Sequence, residues 1–412
     1  MRRLAIVTLI LTAACDSAPS TVSNGSGEVT VLDASDVHAL GTSDLIALVE
    51  DLDVLPDGGV WVLNSIEPLF IRLDATGAVV GAYGRVGGGP REFGDPAGFV
   101  EGGIDGGTWI LDYPRNVLRE IAGTDLPARQ LSLPPESLPP GTVFGTNPFR
   151  AGVRTARLGN EVLIPRRGGY SASRPTATGV WAGIWTADIV ALDVGGGGAR
   201  DFLSLREVLG DPTGQFSVEG SGVSFPFWYR LLTVCSDDEL RVYDRLQNQV
   251  RRFDREGAEL GAVALPPVAS TSVSRREFAI AAFDLPASAQ IGEVPAGGVQ
   301  MSAADSARIL NDFLSRVTLG GAELANLLPR YVDLRCDSEG TQWIHPFDID
   351  APGSAFGGLR GGRVWLRTRA DGRTDRVRLP DRFDVYRITP DRIWGVQRNE
   401  LDVATVAWIE TP

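Results

Sequence analysis

Residues able to do chemistry are sparse in this chain. Its 412 residues include only two histidines, His38 and His345; no Gly-x-Ser-x-Gly elbow occurs, and no Cys or His spacing suits zinc. His345, inside Trp343-Ile344-His345-Pro346, reads as a satisfied strand residue rather than a base. Asp348 and Asp350 stand at Asp-x-Asp spacing, which reaches a calcium site only if loop carbonyls join them. Lysine is absent, so all 39 cationic residues are arginine. A lysine Schiff base and a lysine-dependent phosphate loop are thereby excluded. Arg85, Arg91, Arg166 and Arg167 fall in Gly-rich stretches, where a guanidinium can clamp a carboxylate or phosphate or simply balance nearby acids. Phe225, Phe227, Trp228 and Tyr229 precede Arg230, an aromatic group suited to stacking on a sugar or peptide and equally to core packing.

These residues are set on a repeat. Asp57-Gly58-Gly59-Val60-Trp61-Val62-Leu63 returns 48 residues later as Asp105-Gly106-Gly107-Thr108-Trp109-Ile110-Leu111. Each copy is a polar turn followed by a strand of aromatic and β-branched residues. Fainter copies begin at Asp237, Ser338, Pro390 and Leu158. A second marker keeps the register: Arg72-Leu73-Asp74-Ala75-Thr76-Gly77 lies 13 residues beyond Trp61, and Arg252-Phe253-Asp254-Arg255-Glu256-Gly257 lies 13 beyond Arg241. Both read as tight turns between the last two strands of a four-stranded unit.

The pattern resembles the NHL-like (TolB-like) six-bladed β-propellers, in particular a group of bacterial propeller lipoproteins. Val242 to Asp254 is similar to the NHL strand-loop-strand phrase, Gly84 to Phe93 to the group's link between blades, and Ile393 to Val403 to its last blade. The resemblance covers most of residues 29–412 and implies an all-β, six-bladed propeller with no assigned reaction. Apolar content of 43% against 22% charged residues agrees with one large buried core. Blades bury their faces against each other, so a single domain is expected despite the length.

The N-terminal residues stand apart. Arg2 and Arg3 precede a short apolar stretch, Leu4 to Ala14, that reads as a signal peptide over residues 1–14. Leu11-Thr12-Ala13-Ala14-Cys15 resembles a bacterial lipobox, although Thr12 departs from the commoner leucine. That implies a lipidated Cys15, a flexible Ser/Gly/Pro/Thr-rich tether to residue 28, and membrane anchoring in the cell envelope, facing the periplasm or the cell surface. Losing Arg2 and Arg3 would take the formal net charge from −13 to −15. That sign opposes nucleic acid as a partner.

The remaining cysteines, Cys235 and Cys336, fall on the innermost strands of blades 4 and 5, offset by one residue in the repeat. The offset turns them to opposite strand faces, which in adjacent blades look at each other. A disulfide fits this placement, and so do two buried thiols, since sequence sets no Cα separation.

Loop lengths carry the functional expectation. Turns before the repeated tryptophan and those of the Asp-x-x-Gly type are short, and in a propeller both emerge on one face. The other face receives residues 84–97, 133–150, 166–183, 201–227, 268–330 and 348–360. In 268–330, between blades 4 and 5, Ser302-Ala303-Ala304-Asp305 resembles a capping box before Ile309, Leu310, Phe313, Leu314 and Val317, so a partly helical insertion is expected. A binding or scaffolding module is the favoured function, holding a glycan, peptide, small anionic ligand or envelope protein near Arg85, Arg91, Trp228 and Arg230. The alternative is a calcium-assisted hydrolase or lyase in the central channel, as gluconolactonase-like propellers have. Its innermost-strand residues would be Glu50, Asp53, Arg230, Thr233, Asp333 and Arg335, a mixed set short of oxygens. Ring closure is expected from Glu28 to Leu32 beside the last blade.

Overall fold

A computed structural model describes residues 29–412 apart from 134–154, 168–186, 209–215, 219–222, 225–231, 268–316, 320–329 and 349–362, with short breaks at 90–91, 95, 113–114, 116, 122–128, 197, 205–207, 237 and 245–246. Six antiparallel sheets form the blades of a six-bladed β-propeller. Blade 1 is Val49–Val54, Val60–Asn64, Phe70–Leu73 and Val79–Tyr83, from axis to rim. Blade 2 is Pro96–Phe99, Thr108–Asp112, Val117–Ile121 and Gln130–Ser132. Blade 3 is Ala156–Leu158, Glu161–Arg167, Ala187–Asp193 and Gly198–Ser204. Blade 4 is Leu232–Cys235, Glu239–Asp244, Gln249–Phe253 and Glu259–Ala264. Blade 5 is Tyr331–Cys336, Gln342–Pro346, Val364–Thr368 and Thr374–Arg378. Blade 6 is Phe383–Ile388, Arg392–Arg398 and Ala404–Glu410, completed at the rim by His38–Gly41.

The core is divided among the seams between blades. Val60 and Val62 of one strand pack with Trp394, Val396 and Val406 of blade 6. Trp61 and Leu63 of the same strand face Phe93 of the following link and Phe99 and Ile110 of blade 2. Alternate side chains of a second strand thus enter different seams, and both of its faces are buried. That is why Val60–Asn64 and Thr108–Asp112 are buried throughout and show no polar alternation.

The turn phrases act as the repeat requires. In blade 1 the Asp74 carboxylate accepts from Thr76 N at 2.8 Å and Ala78 N at 3.0 Å; in blade 4 Asp254 accepts from Glu256 N at 3.0 Å and Ala258 N at 2.7 Å. The following glycines take φ of 83° at Gly77 and 85° at Gly257. A side chain there would also strike the preceding blade, 1.6 Å from Leu40 O at Gly77 and 2.8 Å from Phe202 O at Gly257. Glycine is therefore required by conformation and by close approach together.

Closure differs from the expectation. Val29–Val31 within Glu28–Leu32 does not complete the last blade: it pairs in parallel with Thr374–Arg378, adding a fifth strand to blade 5. His38–Gly41 takes the place beside Ala404–Glu410, with a bulge between Ala39 and Gly41. An outer strand is paired on one side only and demands little β-propensity. Packing selects the segment instead, through Leu40 at the seam of blades 6 and 1 and the Gly77 contact.

The expected helix in 268–330 lies outside the described residues. Within that insertion Val317–Leu319 and Arg330 are described; Val317–Leu319 is a strand paired with Phe216–Val218, so Val317 opens a strand instead of continuing a helical stripe. Cys235 and Cys336 are joined in a disulfide across the inner strands of blades 4 and 5, with Cα atoms 5.1 Å apart.

Candidate functional site

Around the axis, β-bulges decide where charge goes. Register shifts fall between Val49 and Asp51 in blade 1, Tyr331 and Asp333 in blade 5, and Val385 and Arg387 in blade 6. A bulge inserts one residue and re-aims those beyond it. Arg387 reaches across to blade 1 and holds Asp51 in a fork, 3.0 Å to Oδ1 and 3.2 Å to Oδ2. The Asp51 carboxylate also accepts from Phe99 N of blade 2 at 2.9 Å and from Leu52 N at 2.9 Å. Arg335 pairs with Asp333 at 2.8 Å and donates to the Val385 and Tyr386 carbonyls of blade 6. Tyr386 donates to Val49 O at 2.8 Å. Blades 5, 6, 1 and 2 are thereby tied through their inner strands.

Asp53 is the group set apart. Its Oδ2 accepts from Thr108 Oγ1 of blade 2 at 2.6 Å. Burial pushes its carboxyl up to about 6, partly opposed by Arg387 and Thr108 and reinforced by Asp51 and Glu101. Glu101 stands at the seam of blades 2 and 3, where its backbone pairs with Thr155 and Arg157, and its Oε2 is buried without a hydrogen-bond partner. The axis is thus richer in carboxylate than the expected set of Glu50, Asp53, Arg230, Thr233, Asp333 and Arg335. Asp51, Glu101 and Arg387 fall outside that set, although Asp51 and Asp53 share strand parity, the one signal of it in the sequence. Glu50 sits at the bulge, Thr233 is buried on the blade 4 inner strand, and Arg230 lies outside the described residues.

Among the described residues, the axial donors do not assemble a calcium site. Asp51 is already engaged by a guanidinium and two amides, and among the described residues no three His, Cys, Asp or Glu side chains assemble to hold a metal ion. Asp348 follows the second strand of blade 5 and is described, whereas Asp350 is not. His345 stacks on Trp365, with ring centroids 4.3 Å apart.

On the insertion face, the link after blade 1 is ordered around Glu92. Arg85–Val86 pairs with Glu92–Phe93 in parallel. The Glu92 carboxylate accepts from Gly89 N at 2.6 Å and meets Arg85 at 2.6 Å, contacts that hold it below the usual carboxylate range, the amide foremost. Arg115 donates to the Gly87 and Gly89 carbonyls, while Arg119 donates to Glu92 O and lies over Phe93. Arg85 is therefore exposed and yet already partnered. Arg91, Trp228 and Arg230 lie outside the described residues, and Arg166 and Arg167 end a blade 3 strand rather than sitting in a loop. No described contact brings the four expected ligand residues together.

The two faces differ in their connections. First-to-second and third-to-outer turns are all short, the longest being 100–107 and 122–129. On the other face run 84–95, 133–155, 168–186, 205–231, 265–330 and 347–363. The same face carries exposed apolar residues at Leu45, Ile66, Val86, Leu401 and Val403.

No protein-family model matches the chain, and no curated protein matches its sequence. Among solved structures, it is similar to virginiamycin B lyase from Staphylococcus aureus in a complex with quinupristin, at 12% identity, covering 92% of this chain and 97% of that one, with a TM-score of 0.38. A Bacteroides fragilis protein assigned as exported is similar at 12% identity, 93% and 98% coverage and a TM-score of 0.47. A calcium-binding regucalcin from Agrobacterium tumefaciens is similar at 14% identity, 93% and 96% coverage and a TM-score of 0.38.

Proposed function

We propose that this protein is a lipid-anchored β-propeller of the bacterial cell envelope that serves as a binding or scaffolding module, taking a ligand or protein partner on its insertion face. The observation that carries the reading is the asymmetry of the two faces. Every long connection leaves from one end of a rigid ring, and specificity in such scaffolds resides in connections of that kind. Among the described residues the opposite turns are closed largely by their own carboxylates and glycines, which leaves them little with which to recognise a partner. Lipid anchoring is supported by the Leu11–Cys15 lipobox resemblance, and no described helix is long and apolar enough to cross a membrane. The rival, a calcium-assisted hydrolase or lyase, draws little support from an axis where Asp51 and Asp333 are engaged by arginine and where, among the described residues, no three ligating side chains assemble.

Two measurements test this. Cys15→Ser should move the protein from the detergent phase to the soluble fraction, and retention in the membrane fraction would refute the anchor. A photo-crosslinking residue placed in turn at insertion-face and short-turn positions, such as Leu45 and Leu401 against Ala75 and Asp371, should give a discrete adduct in the native envelope only from the first pair. Adducts from the second pair would put the binding surface on the wrong face.

A further inference from the structure

The exposed apolar residues of the insertion face form an arc. Leu401 and Val403 lie in the blade 6 turn, Leu45 in the link from blade 6 to blade 1, Ile66 in the blade 1 turn, and Val86 in the link onward to blade 2. These four connections are hydrogen-bonded in series. Thr42 Oγ1 donates to Ala404 O at 3.1 Å, Asn64 Nδ2 to Leu45 O at 2.6 Å, Ser65 N to Leu48 O at 2.9 Å, and Val86 N to Glu67 Oε1 at 2.9 Å. Exposure runs from 39% at Leu45 to 84% at Leu401. Single exposed apolar side chains mean nothing by themselves. Their placement does: the other large exposed apolar residues, Val31, Val79, Val80 and Leu260, sit on strands at the rim, and among the described residues none sits in a short turn.

The polar border of the arc has a sign. Asp44, Glu67, Glu400 and Asp402 are exposed within the same four connections. Of the nearby arginines, Arg85 pairs with Glu92 and Arg398 with Asp384 and more distantly with Asp402, while Arg382 donates to the neutral Asn399 carbonyl and keeps its charge, so the acids outnumber the cations among these described residues. A partner with apolar anchors flanked by cations is complementary to such a surface. A second copy would set acid against acid, and an anionic bilayer would be repelled by a chain of formal net charge −13.

We propose that the arc of Leu45, Ile66, Val86, Leu401 and Val403 docks a cationic amphipathic segment of a partner protein. The proposal rests on the insertion-face reading above and names the chemistry of its occupant. Because the connections are fixed by mutual hydrogen bonds, the surface is ordered before binding, and little ordering entropy is lost there on association.

The test uses the intact protein in detergent and a fluorescent lysine–leucine amphipathic peptide, followed by anisotropy. The lysine peptide should bind about tenfold more tightly than its glutamate–leucine counterpart. The combined change Leu45→Ser, Ile66→Ser and Leu401→Ser should weaken it by about tenfold or more, while Val79→Ser with Val80→Ser at the rim should leave it unchanged. These positions are exposed, so the melting temperature should hold and loss of fold cannot mimic the effect. Unchanged binding by the triple-serine variant overturns the proposal. So does a dimer by light scattering that the triple change makes monomeric, or capture by anionic vesicles that the same change abolishes. If binding is lost only when 268–330 is shortened, the arc falls and the insertion face stands; if it is lost only on substitution of Ala75 and Asp371, both fall.

Discussion

The two faces of the propeller are made by the same strands and use their polar side chains in opposite ways. On the short-turn face the Asp and Arg of the repeated phrases find their partners within their own blade. Asp57 accepts from Gly59 N and pairs with Arg72, whose guanidinium lies over Trp61. In blade 2 Arg129 lies over Trp109 and pairs with Glu120 and Asp105, and in blade 5 Arg367 lies over Trp343 and pairs with Asp375. The recurrence of Asp, Trp and Arg is thus a device for closing a blade end. On the insertion face bonds also run between successive connections, and apolar side chains are left in water. A repeated phrase marks architecture; the unrepeated residues between phrases are where recognition can differ.

The largest expected effect belongs to the repeated side. Trp109 is fully buried in the seam of blades 2 and 3, where it meets Val100, Leu118 and Val162, and its indole donates to Ile104 O at 3.2 Å. Trp109→Ala should cost about 3–5 kcal/mol in urea denaturation, the range for truncating a large buried aromatic. A loss below about 1 kcal/mol would mean that the seams do not carry the ring, and the contrast between faces would lose its basis.

An intermediate effect, dependent on pH, is expected at the axis. Asp53 is raised from 3.8 to about 6 in the folded protein, with burial as the first cause, Arg387 and Thr108 opposing it, and Asp51 and Glu101 adding to it. The folded state therefore binds the proton more tightly than the unfolded chain. Between about pH 4 and 6 the folded state holds more protons, so this group's contribution to stability falls as pH rises. Above that window the ionised carboxylate costs at most about 3 kcal/mol. Asp53→Asn, which can still accept from Thr108, should raise the melting temperature at pH 7.5 and leave it nearly unchanged at pH 4. An equal shift at both values would show that the carboxyl does not titrate in this window.

Much of this architecture is legible in the sequence because turns and seams are local. Asp74 to Gly77 and Asp254 to Gly257 specify the same hairpin in blades 1 and 4, and the one-residue offset of Cys235 and Cys336 places them on facing sides of neighbouring strands. The axial cluster is harder to read. Its members come from blades 6, 1 and 2, and bulges at Glu50 and Tyr386 break the two-residue period on which strand faces are assigned. Closure is hard to read for a related reason: Val29 to Val31 looks more strand-like than His38 to Gly41, but the contact that selects the closing strand is made by Gly77, distant in sequence.

The smallest expected effect is the most discriminating for the contrast between faces. Leu401→Ser alters a side chain that is 84% exposed and follows Asn399, whose carboxamide accepts from Leu401 N at 2.9 Å and Val403 N at 3.0 Å. The turn is held by Asn399 and by backbone groups, none of which the substitution removes. Stability should therefore change by no more than about 0.5 kcal/mol. A residue placed for packing would behave otherwise, since its truncation would remove buried area and leave a cavity. Thermal denaturation of Leu401→Ser beside Trp109→Ala makes the distinction in one experiment. If Leu401→Ser destabilised the protein by more than about 1 kcal/mol, Leu401 would be a packing residue of blade 6 and the apolar arc would lose the side chain it exposes most.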